Sequence, residues 1–504
     1  MIEPLNPSQS DYLRDESRRT GHAERIALPR TEEDVVSILA EARIQGLPIT
    51  PQGARTGVTG GAVPAGGLVV NLARMDRIQA DSGPTLRVQP GAILSAIRAA
   101  VPPGLAFMPD PTEASASIGG MISCNSSGAL SYRHGPTRNH ILGLRVATLA
   151  GDLLDLRRGR DQADGMRFTL GSIRGELPPL PRPAVKNAAG YFVEPDMDLV
   201  DLFIGAEGTL GIVTEATLRL LPAPGATWGL MAFLPDTASV VGFVNALRAG
   251  YSSSIAYQSP SHQATNLVQP RQPYLVAIEY FDSRCLDFLR AHAAELASQN
   301  IAVPAMPDRA ACVYAEWHAP DETAAESAVL TAAELLADFG ADPDAAILAD
   351  NPHDMEKLKL FRHAAPEFVN AVLDERRQVH PELVKLGTDM SVPDDRLADV
   401  MALYATDLAT SGLEHLTFGH IGANHLHVNI IPRDPADQAV GKALYQHWAR
   451  QIVAWGGSIS AEHGIGKNKR ELFRSMAGET SLEHMRDLKK RFDPDGLLNP
   501  GTLL

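Results

Sequence analysis

A chain of 504 residues exceeds what one hydrophobic core supports, so two or three domains are expected. Its 44% apolar and 21% charged residues are those of an ordinary soluble globular protein, and a formal net charge of −15 argues against a general grip on nucleic acid or an anionic membrane surface. The polar start (Asp15, Glu16, Arg18, Arg19), the lack of a long apolar run, and three scattered cysteines (Cys124, Cys285, Cys312) argue against a secretory signal, a membrane span, disulfides and iron–sulfur clusters. A cytoplasmic protein is expected, with peripheral attachment at the inner membrane as the variant.

The first predicted element is a helix opening at Thr31. Thr31 is a good N-cap, Glu32, Glu33 and Asp34 suit the positive end, Val35, Ile38, Leu39 and Ala42 form an apolar stripe, and Gly46 stops it. "LPIT" reads as a short strand. "PQGARTGVTGGAVPAGG" follows, with six glycines from Gly53 to Gly67 and no helical period, so a long glycine-rich loop is expected. It matches neither a phosphate-binding GxxxxGK[ST] loop nor a strand–GxGxxG–helix fingerprint. "SIGGMISCNSSG" (117–128) and "GAEGTLGIVT" (205–214) are further small-residue segments with few apolar anchors. β-rich pieces such as "GLRVATLAG" and "GIVTEATLRLL" lie between them, and the proline-rich 176–183 reads as a loop. Three such loops in one unit are costly unless a large polar ligand organises them.

After "LPAPGA" (221–226) strand-then-helix units recur: "WGLMAFL" with a helix near 237–249, "YLVAIEYF" with one near 284–299, and "CVYAEWH" with a helix from an Asp321 cap to a Gly340 stop. Sheet covered by helices on one face is expected. "GHIGANHLHVNI" (419–430) then brings three histidines together. If Leu426–Ile430 is a strand, period two puts His427 and Asn429 on one face, joined by His425, and His420 folds back at Gly422. Those twelve residues alone read slightly more readily as a polar strand edge. "SISAEHGIGKNKR" shifts the balance, because Gly464 and Gly466 free the backbone to aim Glu462 and His463 inward. A carboxylate with two neutral imidazoles is the usual plan of a catalytic divalent metal site.

The ordered motifs "PQGARTGVTGG", "PDPTEASASIGGMISCNSSG", "YRHGPTRNHILGL", "LFIGAEGTLGIVTEATL" and "FDPDGLLNPG" resemble the FAD-binding domain of the vanillyl-alcohol oxidase superfamily, nearest its D-lactate, glycolate and D-2-hydroxyglutarate dehydrogenase branch. The resemblance runs from about residue 30 to 504. It implies an α+β fold with a two-subdomain PCMH-type FAD-binding domain (1–222), a ferredoxin-like cap for substrate (223–455) and a C-terminal segment (456–504) returning to the FAD domain. It implies FAD contacts from Gln52, Gly53, Ala54, Arg55, Thr56, Gly57, Pro109, Asp110, Ser117, Gly119, Gly120, Asn125, Ser127, Gly128, Glu207, Gly211, Ile212 and Asn499. Ala54 and Arg55 stand where the family has glycines, and a left-handed backbone costs them more. The first loop lacks the histidine that bonds flavin in some relatives, so FAD is expected to be non-covalent.

From the same branch, His420, His427 and Glu462 would hold a divalent metal (zinc or manganese), His463 would be the general base and Asn429 a substrate contact. The family's GHxGDGNLH reads Ala423-Asn424-His425 at its centre. Arg362 in "KLFRHAAPE" would clamp a substrate carboxylate, with Lys385 in "VKLGTDMSVP" as a second partner. The expected reaction is oxidation of a D-2-hydroxy acid by hydride transfer to FAD. Electrons would pass on to a quinone, a cytochrome, an electron-transfer flavoprotein or a partner subunit; a homodimer is the expected assembly. Competing readings are a same-fold oxidase of phenolic alcohols, an FAD-dependent ether-lipid synthase, and a metal-dependent hydrolase.

Overall fold

Thr31 caps its helix as the residue types require. Its hydroxyl accepts from the Asp34 N–H and the Asp34 carboxylate accepts from the Thr31 N–H, both at 3.1 Å. The helix Glu32–Gln45 ends at Gly46, with φ 63°. The strand after it is Ile49–Gln52, two residues later than "LPIT" suggests, because Leu47 still bonds back to Ala42 to close the helix. The computed structural model describes residues 1–81, 83–251, 272–308 and 310–504. Among these, no helix is long and apolar enough to cross a membrane.

Strands Ile2–Pro4, Arg25–Ala27, Leu68–Asn71 and Ile49–Gln52 form one sheet in that spatial order, with the last two pairs parallel. Ile78–Ala80, Thr85–Val88, Ile212–Arg219, Ile141–Ala147 and Leu153–Arg157 form a second, antiparallel sheet. Helix Glu32–Gln45 packs between them through Val35, Ile38 and Leu39. "SIGGMISC" differs from the expected loop. Ser117 caps a helix, Ile118–Cys124, that buries Ile118, Met121 and Ile122. Their spacing is the helical signal that the glycines and serines obscure.

The third sheet runs Ile347–Ala349, Ala226–Leu234, Ala311–Ala319, Tyr274–Phe281, His415–His420, His425–Ile430 and Leu386–Gly387, with Met390–Ser391 also on His425–Ile430. Helices cover both of its faces, not one. Thr237–Gly250 and Glu322–Glu334 pack on Leu230, Ala232, Val313 and Ala315. Ser283–Ala291 and the long Pro352–Arg376 pack on Met231, Phe233, Cys312 and Tyr314. The strands explain this, since "WGLMAFL" and "CVYAEWH" are apolar at consecutive positions and buried on both sides. The helix expected near 284–299 is broken at His292 into Ser283–Ala291 and Ala293–Ser298.

The C-terminal segment returns to the first sheet. Leu498 bridges Ile49, and the Asn499 amide donates to the carbonyls of Gly61 and Glu207. Glu207 completes the closure: its carboxylate accepts from the N–H groups of Ile465 and Gly466 at 2.8 and 2.7 Å. Glu207→Ala orphans two buried N–H groups, so a loss of about 2 kcal/mol is expected in urea unfolding, with new protease cleavage near residue 465.

Candidate active site

A cavity of 1240 Å³ opens where the three sheets and the C-terminal segment meet, larger than the roughly 300–1,000 Å³ that suits drug-sized ligands. One end is walled by glycines and short polar residues. Residues 51–59 line it beside Ser117, Gly119, Gly120, Ser127, Gly128 and Glu207. Ser117 Oγ accepts from the Ala54 N–H at 3.1 Å and sits only 2.0 Å from where a Cβ on Gly53 would stand. Gly57 has nothing within 4 Å of its Cβ position, so bare backbone faces the cavity there. Arg55 takes φ 63° despite its side chain, and its guanidinium stacks 4.7 Å from the Tyr12 ring centroid.

The other end is polar and charged. His415–His420 and His425–Ile430 form a hairpin in which His420 pairs with His425 and Phe418 with His427, so all four side chains share one sheet face. The strand starts early enough to include His425. His420 Nδ1 lies 2.8 Å from Glu279 Oε1, and its Nε2 lies 3.2 Å from Glu462 Oε2. His427 Nδ1 lies 2.8 Å from the Thr388 carbonyl, to which it must donate, leaving the Nε2 lone pair 3.2 Å from Glu462 Oε1. His463 Nε2 lies 3.2 Å from the same oxygen, and its Nδ1 lies 3.4 Å from Asp389 Oδ2.

Lone pairs facing a carboxylate repel unless a cation sits between them. Two ligands of one ion at about 2.0–2.2 Å stand roughly 3–3.4 Å apart, and the Glu462 contacts of His420, His427 and His463 are all 3.2 Å. The potential differs between the two imidazoles, since burial holds His427 below its ordinary range while carboxylates dominate at His420. Burial opposes a charge on His420, but Glu279 outweighs it and lifts the imidazole to about 9. Burial likewise pushes Glu462 upward, yet Lys186, His420 and His425 hold it well below the usual carboxylate range. The donor set fits a divalent metal.

Of the residues singled out from sequence, His420, His427, Glu462, His463, Arg362, Lys385 and Asn429 all line this cavity. Arg362 stacks 4.6 Å from the Tyr314 ring, with Glu316 at 3.6 Å. Gln52, Gly53, Ala54, Arg55, Thr56, Gly57, Asp110, Ser117, Gly119, Gly120, Ser127, Gly128, Glu207, Gly211, Ile212 and Asn499 line it too. Pro109 and Asn125 do not. The Pro109 carbonyl accepts from Arg98, and Asn125 ends the helix Ile118–Cys124 with its Oδ1 accepting from the Arg138 N–H. The Gln52 amide is engaged by the carbonyls of Tyr12 and Ala62, so it shapes the loop. Sequence reasoning missed Glu279, Thr388 and Lys186. A lone carboxylate inside the apolar "YLVAIEYF" was the available signal for Glu279; nothing marked the others.

Residues 251–503 match the family of FAD linked oxidases, C-terminal domain, and residues 23–157 match an FAD binding domain. The chain belongs to the FAD-linked oxidases. It is 32% identical to a D-2-hydroxyglutarate dehydrogenase of Xanthomonas citri pv. viticola, over 98% of this chain and 92% of that protein. It is 28% identical to glycolate oxidase subunit GlcD of Bacillus subtilis, over 95% and 88%. It is 25% identical to a D-lactate dehydrogenase of Anaerostipes hadrus, over 98% and 92%. The fold is that of alkyldihydroxyacetonephosphate synthase, with a TM-score of 0.66 at 15% identity over 99% of this chain and 82% of that one.

The glycine-rich, small-residue walls of this FAD-linked oxidase suit a dinucleotide. Gly128 brings two of them together, since a Cβ there would stand 2.0 Å from the Asp110 carbonyl oxygen. Gly128→Ala is expected to lower FAD affinity at least tenfold in a fluorescence titration of apoprotein while leaving far-UV circular dichroism unchanged.

Proposed function

We propose that this FAD-linked oxidoreductase oxidises a D-2-hydroxy acid of the D-lactate, glycolate or D-2-hydroxyglutarate type to the 2-oxo acid. The observation that carries the reading is the convergence of His420, His427 and His463 on Glu462, in the same cavity as the glycine-walled end. Three relatives carry names of such dehydrogenases and of a glycolate oxidase subunit, which supports the substrate class. Membership of an FAD family removes the hydrolase alternative.

In this reading residues 1–222 supply the cofactor walls, 223–455 the hairpin and the cationic groups, and 456–504 Glu462 and His463. Bound non-covalently, FAD supplies a two-electron acceptor for the substrate Cα hydride, and zinc or manganese held by His420, His427 and Glu462 supplies Lewis acidity toward the hydroxyl. His463 takes the hydroxyl proton at Nε2; Asp389 accepts from its backbone N–H at 3.0 Å and approaches Nδ1, which orients the ring. Arg362 and Lys385 hold the carboxylate end. The Asn429 amide, donating to the His427 carbonyl at 3.2 Å, presents its oxygen to substrate. Electrons then leave to an acceptor outside the chain: a quinone, a cytochrome, an electron-transfer flavoprotein or a partner subunit. We place the enzyme in the cytoplasm, as a homodimer.

Anaerobic addition of D-2-hydroxy acids is expected to bleach the flavin bands; if no acid in a panel does so, the substrate class is wrong. Glu462→Gln should stay yellow, retain no metal by elemental analysis and fail to bleach, whereas full activity in that variant would refute the metal role.

Burial lowers Lys385 to about 8, so its ammonium is present below that pH and lost above it. KM is therefore expected to rise between pH 7.5 and 9 (roughly the span of that titration), and Lys385→Met to start high and remain flat there. An unchanged pH profile in the variant would remove Lys385 from substrate binding.

A further inference from the structure

Lys186 has no part in the chemistry above, yet it is the most deeply buried ammonium in contact with the site. Its side chain is 4% exposed and does not line the cavity, so it faces Glu462 from behind. The backbone that carries it is clamped. Ser391 Oγ donates to the Lys186 carbonyl at 2.6 Å, Ser458 Oγ donates to Asn187 Oδ1 at 2.6 Å, and the Ala188 N–H donates to the Ser460 carbonyl at 2.9 Å. The chain is therefore fixed at Lys186, and only its side chain is left to move between partners.

Its contacts divide the carboxylate. Glu462 Oε1 faces His427 and His463, while Oε2 accepts from Lys186 Nζ at 2.8 Å and from Ser127 Oγ at 3.2 Å. His420 Nε2 also approaches Oε2. An ion on the His420 side of the site lies against Oε2, the oxygen that Lys186 occupies. A divalent ion and an ammonium sharing one carboxylate oxygen repel strongly in a buried setting. One further acceptor lies within reach. His425, fully buried, lies with Nε2 3.1 Å from Asp389 Oδ1, and its Nδ1 is 3.3 Å from Lys186 Nζ; an ammonium can only donate, so Nδ1 presents its lone pair there.

We propose that Lys186 is an internal cation that competes with the metal for Glu462, and that His425 Nδ1 is the acceptor that retains the ammonium once the metal has taken the carboxylate. Lys186 holds Glu462 in place before the metal arrives and sets how tightly the metal is then kept. Both are positioning residues. The inference rests on the metal site of the proposed function and adds to it a determinant of metal affinity.

The test is a titration of chelator-stripped, FAD-loaded protein with Mn2+, following free ion by electron paramagnetic resonance, a readout independent of turnover. Lys186→Met is expected to bind Mn2+ at least tenfold more tightly than the natural chain, and His425→Leu more weakly. In the double variant the His425 effect should vanish, because no ammonium remains to be housed. Equal or weaker binding by Lys186→Met overturns the competition, and a His425 effect that persists in the double variant overturns the acceptor role. Should Lys186→Met fail to fold, a crystal structure of the Mn2+-loaded natural chain decides: Nζ must have left hydrogen-bond range of Glu462 while keeping His425 Nδ1, and Nζ still bonded to Glu462 sinks the idea. If neither the natural chain nor Lys186→Met binds Mn2+, the metal reading itself fails; binding by both with equal affinity fails this inference alone.

Discussion

The Glu462 carboxylate is buried, charged, and touched from every part of the chain. Ser127 and Lys186 reach it from the first half, His420 and His427 from the hairpin, and His463 from its own loop. A buried carboxylate is stable only when such partners are held in place, so the surrounding architecture amounts to a set of devices for holding them. Gly464 and Gly466 adopt φ 71° and 55° to turn Glu462 and His463 inward, and Glu207 fixes that turn through backbone N–H groups. At Gly419, φ 133° and a Cβ position only 2.9 Å from the His427 ring leave room for hydrogen alone.

The third sheet distributes the remaining charge. Its strands are apolar on both faces, and the face under Pro352–Arg376 is the one that carries Glu279, Glu316, His420 and His427. Glu279 fixes His420 and Glu316 stands beside Arg362, so acidic groups orient both the imidazole and the guanidinium. Arg362 is placed by that long helix, which the sequence conceals because Pro366 interrupts its pattern. The same acidic surroundings that keep Arg362 charged also temper its pull on an anion.

How much was legible varies by the kind of signal. Local chemistry read well: the Thr31 and Asp321 caps and the alternation along His425–Ile430 all follow from neighbours in sequence. The helix Ile118–Cys124 was hidden because its glycines and serines mask a sparse apolar spacing. Asn125 and Gln52 sit inside motifs that mark the cofactor loops, but their side chains are engaged in shaping those loops. Lys186 lies after a proline-rich stretch with no periodic pattern, and only its neighbours in space reveal it.

Residue types and spacing by themselves determined that this chain has glycine-rich walls for a large polar ligand, a histidine hairpin and a Glu-His turn, since each depends on a few adjacent residues. Which nitrogen of each imidazole is engaged was decided only by tertiary structure. His420, His425 and His427 lie within eight positions, yet Glu279, Lys186 and Thr388, all distant in sequence, engage Nδ1 of each in turn. An imidazole's role follows from where its proton is held, and long-range contacts hold it.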